Sequence, residues 1–147
     1  MINKKVDSAT HVLKGAVQNV LGATLTTATF AEEEQGRLTV EFDRQPTEEE
    51  MKRVEEKAKN KIKENVEIKI LEMQRDEAEK KFGNKIYDKF PIPVHIKKLK
   101  IVVIEDWNWN CCIGQHYQTT GEIGSLKIRK WRFRNTRNEL EISFDVT

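Results

Sequence analysis

The sequence predicts an α+β fold in a single domain, a mostly antiparallel sheet packed with two to three helices. Three observations predict it. Two long stretches carry apolar residues at helical spacing, several shorter ones alternate apolar with polar residues, and turn-forming residues separate them at short intervals. No internal repeat, linker or low-complexity block interrupts residues 1–147, so the whole chain reads as one domain.

The first helix runs from about Ser8 to Leu21, with Val12, Leu13, Ala16, Val17, Val20 and Leu21 as its stripe and Gly22 as a natural stop. The Thr-rich segment Leu25–Phe30 reads as a strand. Leu38, Val40 and Phe42 alternate as a second strand, with Glu32–Gly36 as the turn between them. Pro46 and Thr47 announce a long surface helix: Thr47-Glu48-Glu49-Glu50 has the capping-box pattern, and Met51, Val54, Ala58 and Ile62 form one face. Val66, Ile68 and Ile70 alternate again as a strand. A shorter helix, about Asp76 to Phe82, ends at Gly83, and Phe90-Pro91-Ile92-Pro93 is irregular. Leu99–Ile104 is almost continuously apolar, which predicts a central strand covered on both faces. Leu126 and Ile128 alternate before the phase slips to Trp131 and Phe133, a slip that a bulge near Arg129 explains. Leu140, Ile142, Phe144 and Val146 make a last strand, joined to its predecessor by Arg134–Asn138.

Composition narrows the setting. The chain is 37% hydrophobic and 34% charged, and runs such as Ile101-Val102-Val103-Ile104 fall far short of a membrane span of about 20 residues. Met1-Ile2-Asn3-Lys4-Lys5 has no apolar core of a signal peptide, and two adjacent cysteines build no disulfide framework. A cytoplasmic, reducing setting with no membrane and no obligate protein partner is expected. The net charge of +2 is unevenly spread: residues 95–138 carry nine Lys/Arg against three Asp/Glu. That excess suits a phosphate-bearing partner, and a solvated basic hairpin is the plain alternative. Trp131 and Phe133, interleaved among the arginines, stack on bases or fill the core.

The chemistry-bearing residues are few. Histidines stand at 11, 95 and 116. His11 follows Asp7 by four residues, which places both on one helical face if Asp7 is helical, and Cys112 precedes His116 by the same interval. A thiolate, two imidazoles and a carboxylate are together an acceptable tetrahedral zinc set. The alternatives are a helix-capping Asp7 and a Cys112 that is only a small buried side chain. His95 has no evident partner and reads as structural. A vicinal Cys111–Cys112 disulfide closes a strained ring, which disfavours a redox role.

These residues carry a resemblance. Ser8-Ala9-Thr10-His11 at a helix start, Cys112-x-x-x-His116 and Thr119-Thr120-Gly121-Glu122-Ile123-Gly124 together resemble the alanyl-tRNA synthetase editing domain. From about Val6 onward the chain is most similar to the small, stand-alone AlaX-type trans-editing proteins, through Val12–Val17, Phe42-Asp43-Arg44, Val103–Asn108 and Gly121–Lys130. The resemblance implies a zinc-dependent hydrolase that removes serine, and sometimes glycine, from mischarged alanine tRNA, or else a non-catalytic RNA-binding module on the same fold. The family's zinc motif, His-x-x-x-His with Cys-x-x-x-His, falls on His11, Cys112 and His116, with Asp7 where the family has its first histidine. The family's hydroxyl-sensing threonine falls on Thr26, with the other threonines of Thr24–Thr29 as neighbouring alternatives, and Thr10 is a second pocket candidate. Lys127, Arg129, Lys130 and Arg132 are expected to hold the tRNA acceptor end. No histidine or glutamate stands ready as a general base, so catalysis is expected to rest on the metal and on positioning.

Overall fold

A computed structural model of the chain describes residues 3–89 and 92–147, so Phe90 and Pro91 of the irregular segment lie outside the described residues. Helix α1 spans Lys4–Leu21, one turn earlier than its apolar stripe indicates. Asn3 sets that start: its Oδ1 accepts the Val6 amide at 3.0 Å, while its Nδ2 donates to the Glu33 carbonyl at 2.7 Å. Asp7 is therefore not the cap; it lies inside the first turn, where a carboxylate favours the helix dipole. Gly22, at φ 75°, closes the helix in the left-handed conformation.

Strands β1 (Thr26–Glu32) and β2 (Gln35–Glu41) form a hairpin turning at Glu33-Glu34. Helix α2 (Glu48–Lys63) carries the expected capping box and buries the expected face, Met51, Val54, Ala58 and Ile62. Strand β3 (Ile68–Gln74) leads into the short helix α3 (Arg75–Phe82), which ends at Gly83. Then follow β4 (Lys98–Ile104), β5 (Asn108–Cys111), β6 (Leu126–Arg134) and β7 (Glu139–Val146).

All pairings among these strands are antiparallel, but they make two sheets: β1-β2-β7-β6 and β3-β4-β5. The larger core lies under α1 and α2, where Leu13, Val54 and Ile62 meet Leu140, Ile142 and Phe144. A second, smaller core gathers Ala78, Ile86, Leu99, Ile101 and Val103. Strand β4 is central and apolar on both faces, because Val102 and Ile104 serve the first core and the alternate residues the second. The bulge falls at Arg129, where the β6–β7 register skips between Ile128 and Lys130. It keeps Trp131 and Phe133 partly buried against the core.

Between β4 and β5, the Trp107 Nε1 donates to the Val12 carbonyl at 2.9 Å, and the Lys61 ammonium sits 4.7 Å from the ring centroid. Gly15 makes this approach to α1 feasible, since a Cβ there would overlap the indole. Among the described residues, no helix is long and apolar enough to cross a membrane.

Candidate metal centre

Helix α1 and the segment after β5 bring together three residues from opposite ends of the sequence. The ligand atoms of His11, Cys112 and His116 all lie within 4.8 Å of one another. Cys112 Sγ is 3.6 Å from His116 Nε2, and the two imidazoles meet edge to face at 4.7 Å between centroids. The loop that carries Cys112 and His116 is pinned at both ends. Its start is held by the Cys112 amide on the Lys100 carbonyl (3.2 Å) and by Lys100 Nζ on the Gly114 carbonyl (2.9 Å). Its end is held by the Tyr117 amide, which donates to Ser8 Oγ on α1 at 2.9 Å.

His11 is oriented by Asn108 on β5, whose Oδ1 lies 3.2 Å from His11 Nδ1. With that oxygen as acceptor, Nδ1 carries the proton and Nε2 keeps its lone pair for a cation. His116 Nδ1 is buried with no hydrogen-bond partner. The other ring nitrogen, Nε2, is the one that faces the Cys112 thiol. The donor set fits a metal ion.

Electrostatics agree. Burial, reinforced by the charge of Lys14 and by His116, pushes His11 well below the usual imidazole range. Burial, with Lys100 and Lys14 nearby, brings His116 down to about 4. Burial pushes the Cys112 thiol up. At neutral pH both imidazoles are thus ready as neutral ligands, and the thiol must lose its proton. We expect cation binding at pH 7 to release about one proton, from Cys112, with affinity rising about tenfold per pH unit. Calorimetric titration in buffers of different ionisation heat measures this, and release of none would mean an already ionised thiol. The metal-free protein should also lose stability as pH falls from about 6.5 toward about 4, because the unfolded chain binds protons that the folded His116 refuses.

His11 and Cys112 line a cleft of about 240 Å³, whose walls also include Asp7, Thr10, Lys14, Asn110 and, from the outer part of β1, Thr29 and Phe30, while His116 stands behind them. Asp7 Oδ2 faces Gly114 across this cleft, 3.0 Å from where a Cβ would stand, and burial raises its carboxyl. Asp7 is outside the close trio but on the wall beside it. Thr10 also lines the cleft, with its hydroxyl donating to the Val6 carbonyl at 2.8 Å. Thr26 is buried in a neighbouring slot with about 20 Å³ of free space, room for one water-sized group. Lys14 and Asn110 line both spaces and form the partition between them.

The predicted RNA-facing residues lie elsewhere. Lys127, Lys130 and Arg132 are exposed on β6, while Arg129 is paired with Asp145 at 2.6 Å. Strands β6 and β1 are opposite edges of the larger sheet, three strand spacings or about 14 Å apart. Sequence reasoning missed Lys14, Asp88, Asn108 and Asn110. For Lys14 a signal existed, since a lysine three residues after His11 and three before Val17 falls on the buried side of α1.

Comparison with known proteins places this arrangement. Residues 99–139 match the family described as the Threonyl and Alanyl tRNA synthetase second additional domain, a segment that includes Cys112 and His116. The alanine–tRNA ligase of Archaeoglobus fulgidus is 42% identical over 124 residues, covering 84% of this chain and 13% of that protein. The alanine–tRNA ligase of Staphylothermus marinus is 36% identical over the same shares. That of Nitrosopumilus maritimus is 32% identical over 127 residues, 86% of this chain and 14% of the relative. The chain thus spans about an eighth of the length of the ligases it matches, and the correspondence runs through one region of each. The chain is similar to one region of the alanine–tRNA ligases, and part of it matches the second additional domain shared by threonyl- and alanyl-tRNA synthetases, the similarity that its motifs indicated.

Proposed function

We propose that this protein is a trans-editing aminoacyl-tRNA deacylase of the cytoplasm, hydrolysing the ester that joins serine, and secondarily glycine, to alanine tRNA with zinc as its metal. One observation carries the proposal. A thiol–imidazole donor set adjoins a polar slot sized for one hydroxyl, and the two share Lys14 and Asn110 as their partition.

His11, Cys112 and His116 would hold the zinc, with Asp7 or a water completing the set. Zn–S near 2.3 Å and Zn–N near 2.0–2.1 Å at a tetrahedral angle place sulfur and nitrogen about 3.6 Å apart. The spacing of Cys112 Sγ and His116 Nε2, 3.6 Å, supports this reading. Bound zinc supplies Lewis acidity toward the ester carbonyl and toward water. The chain's own residues do the rest. Asn108 holds the His11 ring in the ligating tautomer, and Thr26 lines the slot that receives the side chain of the amino acid. The exposed cations Lys127, Lys130 and Arg132 attract the RNA phosphates from the far edge of the sheet, with strong salt dependence. Arg129, neutralised by Asp145, contributes least.

Selectivity follows from size and polarity. A synthetic pocket shaped for alanine rejects serine weakly, by about a hundredfold, because it excludes an added hydroxyl poorly. A slot lined with polar groups reverses the preference: the serine hydroxyl satisfies groups that alanine leaves unpaired. Thr26→Val keeps shape and removes the hydroxyl. Its seryl-ester hydrolysis should fall by about 1–3 kcal/mol in transition-state terms, with glycyl and alanyl esters changed much less. The test is elemental analysis combined with deacylation of seryl, glycyl and alanyl esters on one tRNA. Equal losses in Thr26→Val for all three place the sensing residue elsewhere, and a zinc-loaded protein inert toward every ester favours the RNA-binding module.

A further inference from the structure

The reading above leaves one expensive group without a task. Lys14 is 8% exposed, and its ammonium is met by a neutral amide oxygen, Asn110 Oδ1, at 2.8 Å. Its one carboxylate neighbour, Asp88, stands at 3.5 Å with a side chain 40% exposed. A buried ammonium so loosely compensated is destabilising, and packing does not require it, since an apolar side chain of equal length would fill the same space. An ammonium has three donors, and no third partner is present among the described residues. Its neighbours hold it in place: Asn110 Nδ2 donates to the Ile86 carbonyl at 3.0 Å and to Asp88 at 3.2 Å. Its position is equally specific. Lys14 follows His11 by three residues on the same helical face and stands in the partition between the metal cleft and the Thr26 slot. An amino acid with its side chain in the slot and its ester at the trio must pass its carbonyl group across that partition.

We propose that Lys14 is a catalytic residue that donates a hydrogen bond to the carbonyl oxygen of the ester and stabilises the negative charge that develops there. This inference rests on the editing function proposed above. Water adds through its oxygen to the ester carbon, and the C=O π pair moves onto the carbonyl oxygen facing Lys14. On collapse that pair re-forms the carbonyl. The bond from carbon to the ribose oxygen breaks, and its electrons leave with the ribose oxygen. One proton of the attacking water ends on the ribose hydroxyl, and the other is released as the amino acid ionises. Lys14 keeps its own proton throughout. Its fixed ammonium acts where charge appears, and its burial makes the interaction strong.

The decisive variants are Lys14→Met, which keeps length and removes charge, and Lys14→Arg, which keeps charge. For Lys14→Met we expect kcat on seryl-tRNA to fall about 10²–10³-fold, with KM within about threefold and zinc content unchanged. Lys14→Arg should recover part of that loss. A non-hydrolysable phosphonate analogue of the seryl ester, whose tetrahedral oxygens carry charge, should bind Lys14→Met more weakly by a similar factor, while the corresponding amide binds nearly as well as to wild type. A Lys14→Met protein that keeps full kcat, or that binds the phosphonate as tightly as wild type, overturns the proposal. Loss of activity only in step with loss of zinc also overturns it, by making Lys14 structural. Wild-type protein that deacylates nothing overturns the editing function instead, and phosphonate binding then still decides for or against Lys14.

Discussion

Cys112→Ser is expected to lower cation affinity by more than about a hundredfold, since loss of an outer-shell partner alone costs 10–100-fold. Serine keeps the shape but offers a hydroxyl that does not ionise at neutral pH, so the trio becomes two imidazoles and a weak oxygen. The matched control is Cys111→Ser, which should leave cation affinity unchanged. Cys111 is adjacent in sequence, but it packs against the smaller core and stands outside the trio. Burial also pushes its thiol up to about 11, which makes it a poor nucleophile at neutral pH. Elemental analysis after dialysis against a buffered zinc concentration distinguishes the two variants. Full occupancy in Cys112→Ser would remove Cys112 from the site. If zinc is required for deacylation, activity should follow occupancy through the same pair.

A measurable loss of stability is expected from a change that adds one methyl group. Gly15→Ala has two opposing consequences. Alanine in a helix interior is favoured over glycine by about 1 kcal/mol. Against this, the new Cβ overlaps the Trp107 indole. The indole has little room to retreat, because its nitrogen bonds the Val12 carbonyl and the Lys61 ammonium sits at its ring. Overpacking costs about 1–3 kcal/mol, and the displaced indole hydrogen bond adds about 1 kcal/mol. The clash outweighs the propensity gain, and the net loss should be about 1–3 kcal/mol, or several degrees in Tm. Combining Gly15→Ala with Trp107→Leu tests the cause, because the alanine should be far better tolerated once the indole is gone. An unchanged melting temperature in Gly15→Ala alone would mean that Trp107 is mobile.

Much of this fold is legible in the sequence because period and capping are local properties. The buried face of α2, its capping box, both apolar faces of β4 and the bulge at Arg129 follow from spacing alone. Strand β5 does not, because its inward positions are Asn108 and Asn110, both buried, while Trp109 is only partly so. A strand that builds a site inverts the usual alternation, and hydrophobic periodicity then misses it. The division into two sheets is also hidden, since alternation marks a strand without naming its partner. At the candidate site, His11 with Cys112 and His116 was readable from four-residue spacing and family resemblance. The Lys14, Asp88 and Asn110 network was not, because its members are brought together only by tertiary structure. The apolar stripe does not reveal the start of α1, because Asn3 acts through a hydrogen bond and contributes no apolar residue to it.

That same asparagine has a mechanical consequence. One side chain joins the first turn of α1 to the β1–β2 turn, holding Val6 through its oxygen and Glu33 through its nitrogen. His11 rides on that helix and Thr29 and Phe30 on that hairpin, so the joint, with the core packing beneath it, ties together the two elements that wall the cleft.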